Sequence, residues 1–319
     1  MSSGQPSRTC LYVAAGRALG AREPDESIRN PDYLAERLLG PEERAMVADQ
    51  PVVQALDQDF AAVRQNPEAM GSMIMMIIRT RFIEQCLERA IHDGASQVVI
   101  LGAGFDTRAY RLTDLLKSAR VFEVDQPSTQ EYKRRRISET GISVPSNLTY
   151  VPVDFRHDKL GDVLAAAGYD SGQKTFFIWE GVTMYLPQAA VEETFRWVAM
   201  QAPGSNIVFD FVGAMVVKFM AIADLSQFPE PAKKAIERLR KLVAGEPWIF
   251  GIPDIGEQEF LRNQGLELRE ALPLGGPESF KRYLTRGDGT PYIEVPPAQQ
   301  QAQSQRGGYS LAEAVVPGR

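Results

Sequence analysis

The stretch Val98-Val99-Ile100-Leu101-Gly102-Ala103-Gly104-Phe105-Asp106-Thr107-Arg108 decides the fold. A short, unbroken apolar run ends in Gly-x-Gly and leads into helix-forming sequence. A strand that is apolar on both faces belongs inside a parallel sheet. The two glycines allow a sharp turn and let a ligand approach without a Cβ in the way. By itself, Gly-x-Gly equally suits a plain strand–helix turn.

The same form recurs on both sides. Apolar runs at Gln97–Leu101, Ala119–Val124, Leu148–Val153, Thr175–Trp179 and Ser205–Phe211 are mostly separated by helical stretches. This alternation predicts an α/β fold with a parallel, doubly wound sheet and right-handed crossovers. Residues 1–70 predict a cap of short helices broken at Asn30-Pro31, Gly40-Pro41, Gln50-Pro51 and Asn66-Pro67. A strong helix follows over Ser72–Asp93, stopped by Gly94. The core spans 72–212 and a helical insert 213–245, leaving 246–319 to complete the sheet with helices at Glu259–Gln264 and Glu278–Leu284 and strands at Glu267–Ala271 and Tyr309–Val316. The whole is expected to be one domain. Pro296–Gly308, polar and of low complexity, is expected to be a mobile loop.

The next strand supplies support for a nucleoside ligand. Asp125, followed by Gln126, ends Val121-Phe122-Glu123-Val124 a little over twenty residues after Gly102. An acid there accepts hydrogen bonds from ribose hydroxyls. The dinucleotide fingerprint wants a third glycine where this chain has Thr107, which argues against NAD or FAD; a methionine-linked adenosine has no pyrophosphate and does without it. Asp154-Phe155, closing the third strand, suits an adenine amine and ring face, while a helix N-cap at Asp154 is the alternative. Glu180 follows a wholly apolar strand, where a carboxylate needs a partner, and Tyr185 is placed to face a substrate.

On the Ser72–Asp93 helix, Phe82, Ile83, Cys86, Leu87 and Ala90 form one stripe with Arg79 in its middle; Arg81 falls on the opposite side. A buried guanidinium needs an anion. Arg79 is therefore expected to hold the α-carboxylate of the cofactor's methionine, with an internal ion pair as the alternative, and Arg81 to form a surface ion pair.

Composition excludes several classes. The chain has 319 residues and a net charge of −6, and its one dense basic run, Lys133-Arg134-Arg135-Arg136, reads as a solvated helix face paired with Glu131 and Glu139. That disfavours a nucleic-acid binder. The two cysteines, Cys10 and Cys86, suggest neither a disulfide scaffold nor a zinc site, and Cys86 reads as core filler. The two histidines, His92 and His157, read as surface residues, so neither a hydrolase triad nor a metal site is expected. Without a signal peptide or a long apolar span, a cytoplasmic protein away from membranes is expected.

LGAGFDTRAYRL, VFEVDQP, YVPVDFR and EGVTMYLP, in that order and spacing, resemble the leucine carboxyl methyltransferase family, and most closely its bacterial branch of small-molecule methyltransferases. RTRFIE before the first strand and GEPWIFGI after the insert also match, so the resemblance covers roughly residues 10–290. It implies a class I methyltransferase (Rossmann-like) sheet of seven strands with the last antiparallel. It also implies S-adenosylmethionine as cofactor, contacted by Arg79, the turn Gly102-Ala103-Gly104, Asp125 with Gln126, Asp154, Phe155 and Glu180. The family's eukaryotic members carry an N-terminal lysine on the cofactor; this chain has Gly16 there, followed by Arg17, which is a candidate substitute and acceptor-lining residue beside Tyr185.

The expected reaction is methylation of an oxygen, a carboxylate or hydroxyl, of a small molecule. A carboxylate is already ionised, so positioning suffices and no catalytic residue is assigned. A phenol would want a base, for which Tyr185 and His157 are the candidates. The insert is expected to act as a lid flanked by Gly213, Gly245 and Pro247. The rivals are an NAD-dependent oxidoreductase and a binding protein of the same fold without turnover.

Overall fold

The computed structural model describes residues 6–318 apart from 155–157, 223, 244, 254 and 295–307, and leaves aside the side chains of residues 231, 232, 235 and 238. Phe155, His157 and nearly all of the expected 296–308 loop thus lie outside the described residues.

Seven strands form a single sheet: β1 (Gln97–Leu101), β2 (Arg120–Asp125), β3 (Leu148–Pro152), β4 (Thr175–Trp179), β5 (Asn206–Val212), β6 (Glu267–Pro273) and β7 (Tyr309–Val315). Their order is β3-β2-β1-β4-β5-β7-β6. The first five pair in parallel, and β7 runs antiparallel between β5 and β6. This is the α/β class I methyltransferase topology. Side chains alternate between two cores. Val98, Ile100, Phe176 and Ile178 face the layer that contains the Arg8–Ala21 and Pro67–His92 helices. Val99, Leu101, Phe177 and Trp179 face the Gln188–Ala199 helix on the other side. With both faces covered, β1, β4 and β5 are buried along their whole length, and this is why they carry no polar alternation.

β1 lies between β2 and β4, so chain direction across the sheet reverses between β1 and β4. Ligands of open α/β sheets bind at such a switch point, beyond the carboxyl ends of the strands. Gly102 and Glu180 stand directly after those two strands.

The long helix starts a turn earlier than its apolar stripe predicts. Pro67 occupies its first turn and the Asn66 side chain caps the Glu68 and Ala69 amides. The other expected breaks behave likewise: Pro41 and Pro51 each begin a short helix, because a missing N–H costs nothing in the first turn. The insert resolves into two helices, Ala214–Ala221 and Glu230–Leu242. Gly213 is pinned: Ala214 donates to the Ile252 carbonyl, Ile252 to that of Val212, and a Cβ on Gly251 would meet the Gly213 backbone at 2.7 Å.

Two surface expectations are corrected. Among the described residues Arg81 makes no ion pair but donates to the carbonyls of Glu26, Ser27 and Arg29, tying down the preceding turn. In the basic run, Arg135 and Arg136 do pair with Glu139. Lys133, however, is 1% exposed and its Nζ lies 2.8 Å from Oε1 of Glu123. Glu123 points inward from β2, and that buried acid draws the lysine off the solvated face.

Candidate functional site

At the switch point lies a cavity of about 860 Å³. Arg17, Arg79, the Gly102-Ala103-Gly104 turn, Asp125, Gln126, Glu180 and Tyr185 all border it. Sequence reasoning thus brings nine of its candidate positions to one place. Asp154 is not on that wall. Its backbone N–H donates to the Asp158 carboxylate, the Asp158 N–H returns to the Asp154 carbonyl, and the next described helix starts at Leu160 with Lys159 in the cap position.

The turn is built as its glycines require. Gly102 and Gly104 have φ of 68° and 42°, values that L side chains rarely adopt. A Cβ on Gly102 would stand 2.5 Å from Cγ2 of Val182. Asp125 braces the turn from the neighbouring strand: its Oδ2 accepts from the Gly104 N–H at 2.6 Å and its Oδ1 from the Gln126 N–H at 2.7 Å. Burial raises the Asp125 pKa, opposed by those two amides. The carboxylate remains on the cavity wall.

Arg79 adopts the internal ion pair. Its Nε lies 2.8 Å from Oε1 of Glu180 and its Nη1 3.0 Å from Oδ2 of Asp210 and 3.2 Å from the Tyr309 hydroxyl. Tyr309 in turn donates to Asp210 at 2.7 Å, and the Gly181 N–H donates to the other Asp210 oxygen. Glu180 receives a second arginine, with Nη1 of Arg108 at 2.7 Å. Burial disfavours the Glu180 carboxylate, but Arg108, Arg79 and Arg17 outweigh it and hold its pKa well below the usual range. Arg108 also meets Asp106 and Glu84, Glu84 meets Arg111, Arg111 meets Asp32, and Asp32 meets Arg17 with Nε at 2.8 Å. A continuous buried ionic chain therefore runs from β5 and β7 to the N-terminal helix beneath the cavity floor. Thr107, in the place of a dinucleotide-type glycine, donates its hydroxyl to Asp32 at 2.6 Å; a glycine there would leave that link unmade.

Asp210, Tyr309, Arg108 and Asp32 were missed from sequence. Asp210 had a signal, since an acid inside Ile207-Val208-Phe209-Asp210-Phe211 must find a buried partner. Tyr309 had none, being brought in by the antiparallel return of β7. On the outer wall, Glu246 and Trp248 line the cavity just after the insert, and Ser7, which caps the first helix, hydrogen-bonds to Glu246. Arg17 is spent on Asp32 and on the Phe105 carbonyl at 2.7 Å.

Comparison with known proteins matches this scaffold to a family. The leucine carboxyl methyltransferase family model matches residues 10–199. The chain belongs to that family. The match ends before the insert and before Glu246-Pro247-Trp248, where the sequence resemblance continues. A Mycolicibacterium vanbaalenii protein named as an S-adenosyl-L-methionine-dependent methyltransferase is 36% identical over 213 residues, 65% of this chain and 67% of that protein. A Mycolicibacterium smegmatis protein of the same description is 33% identical over 240 residues, 73% of each chain. A solved structure from Thermobifida fusca, described as a methyltransferase, superposes with a TM-score of 0.54 at 15% identity over 99% of this chain and 97% of that one, which bears on the fold.

Among the described residues no helix is long and apolar enough to cross a membrane, and no cluster of three metal-ligating side chains occurs.

Proposed function

We propose that this family member transfers the methyl group of S-adenosylmethionine to an oxygen of a small molecule, and that the oxygen is a carboxylate. The enzyme class and cofactor follow from family membership: the chain is an S-adenosylmethionine-dependent methyltransferase. The described residues suit the cofactor. Asp125 offers a buried carboxylate at the end of β2 for ribose hydroxyls, Gly102 and Gly104 offer backbone free of Cβ, and Arg79 offers a guanidinium whose contacts, an ionic one from Nε to Glu180 and hydrogen bonds from Nη1 to Asp210 and Tyr309, leave Nη2 unused among the described residues. Nη2 is the edge available to the methionine carboxylate.

When bound, the cofactor supplies an electrophilic methyl on a sulfonium. The chain's own part is to orient and to exclude water. Glu180, fixed as an anion by two arginines, places a charge-balanced carboxylate at the cavity floor. Val182 and Leu186 supply apolar wall beside it.

The observation that carries the carboxylate is the lack of an imidazole base among the described lining residues, whose carboxylates Glu68 and Glu246 stand on the outer wall. Burial pushes the Cys10 thiol up to about 11 and the Tyr185 and Tyr309 phenols above their usual values. Asp125 is held by amides and Glu180 by arginines. An acceptor that arrives already ionised needs none of them.

Titration calorimetry with S-adenosylmethionine and, separately, NAD tests the cofactor; saturable binding of the former, weakened roughly ten- to a hundredfold by Asp125→Ala, is expected for a lost charged hydrogen bond. Transfer from methyl-labelled cofactor to a panel of acids and phenols tests the oxygen. A carboxylate gives an ester that releases labelled methanol in alkali, whereas an alkali-stable product would overturn that assignment. NAD binding alone would overturn the whole reading.

A further inference from the structure

The cavity continues far beyond the residues that suit the cofactor. Along the Pro67–His92 helix, Arg79, Met76, Met75, Ser72, Gly71 and Pro67 all border it. They lie on one face at helical spacing, so the cavity follows the helix for about 18 Å at 1.5 Å per residue. Past Arg79 this wall is mostly apolar, and the insert adds Val216, Leu239, Leu242 and Val243. The only cations on the described wall are Arg17 and Arg79, both engaged by acids, while Glu68 and Glu246 add negative charge. A second anionic group on the acceptor would find no partner.

Gly71 points the same way. It lies inside a helix, has no positive φ, and a Cβ built on it meets nothing within 4 Å. No steric need for glycine is visible, although glycine is disfavoured mid-helix relative to alanine. It borders the cavity at an exposed position.

We infer that the acceptor is a monocarboxylic acid with a long apolar tail, seated along the helix face from Met76 towards Gly71. This rests on the methyl-transfer reading for its head group; the tail stands on the shape and charge of the wall. The test measures binding of hexanoate, octanoate, decanoate and dodecanoate, below micelle formation, to protein saturated with S-adenosylhomocysteine, alongside citrate. The dissociation constant is expected to fall about fourfold per added methylene until the cavity ends, with citrate not binding. In Gly71→Phe the ring narrows the outer end, so dodecanoate loses more affinity than hexanoate. Equal affinity across the series, or tighter binding of citrate, overturns the inference, and an equal effect of Gly71→Phe on all chain lengths overturns the placement of the tail. The two readings fail separately. A length-dependent series with no methyl transfer supports the tail site and sinks the proposed reaction; transfer only to short polar acids does the reverse.

Discussion

Nε of Arg79 lies 2.8 Å from Oε1 of Glu180, so two residues that sequence points separately at the cofactor are also each other's partner. Arg79 is buried, Glu180 is nearly so on the cavity floor, and each is shared: Arg79 with Asp210, Glu180 with Arg108. The pair is a preformed piece of binding site whose charges are balanced before any ligand arrives.

Arg79 therefore has two measurable roles. Arg79→Ala strands Asp210 and deprives Glu180 of one of its two arginines in a dry interior, and removal of one partner of a buried ion pair costs about 3–5 kcal/mol. A urea unfolding curve should show that loss. Arg79→Lys keeps the charge but not the planar fork, and is expected to recover part of the stability while weakening S-adenosylmethionine about tenfold or more. If Arg79→Lys binds the cofactor like the parent while unfolding more easily, Arg79 is a structural ion-pair member and no carboxylate ligand.

The glycine turn makes a sharper steric prediction. Alanine at Gly102 would hold φ near 68° and set its Cβ 2.5 Å from Val182, so Gly102→Ala combines left-handed strain of about 1–2 kcal/mol with a clash at the mouth of β1. Lost stability and lost cofactor affinity should appear together. The double variant Gly102→Ala/Val182→Ala removes the clash but not the strain, and should recover only part of both. Full recovery would show that φ at this turn is not limiting.

The strands and the turn were legible because burial on both faces leaves a continuous apolar run, and because positive φ selects glycine. Asp125 and Glu180 were legible from their place at strand ends. The ionic chain was not, because Arg17, Asp32, Glu84, Arg108 and Asp210 come from segments far apart in sequence, and only the fold reveals which acid meets which base. Lys133 misled for the same reason: its helix pattern says solvent, and Glu123 on the neighbouring strand says otherwise.

Glu123 gives a pH signature that runs opposite to Glu180. Burial outweighs the Lys133 ammonium and lifts the Glu123 pKa from 4.5 to about 7. Between those values the folded protein keeps a proton that the unfolded chain has released. The contribution is full below the lower value and is lost as pH rises through the window, at no more than about 1.4 kcal/mol per pH unit. Glu180, with its pKa depressed, stabilises above the unfolded carboxylate pKa and that contribution is lost as pH falls below it. Stability of the parent should thus decline from pH 4.5 to 7 more steeply than that of Glu123→Gln; parallel curves would place the Glu123 proton elsewhere.

The pH dependence of turnover separates a carboxylate acceptor from a hydroxyl. A carboxylic acid is ionised above a pKa of about 4–5, and the thiol and phenols on the cavity wall lie at about 11 for Cys10 and above their usual values for Tyr185 and Tyr309. With nothing on that wall required to accept a proton, kcat/KM for an acid acceptor should be level from about pH 6 to 9. A phenolic acceptor would instead give a rate that rises with pH as the phenolate forms, since no imidazole lines the described wall to take its proton near neutrality. A bell-shaped profile for an acid acceptor would mean that an enzyme group titrates in the reaction. Tyr185→Phe then identifies it: persistence of the bell in that variant clears Tyr185, and loss of one limb convicts it as a base.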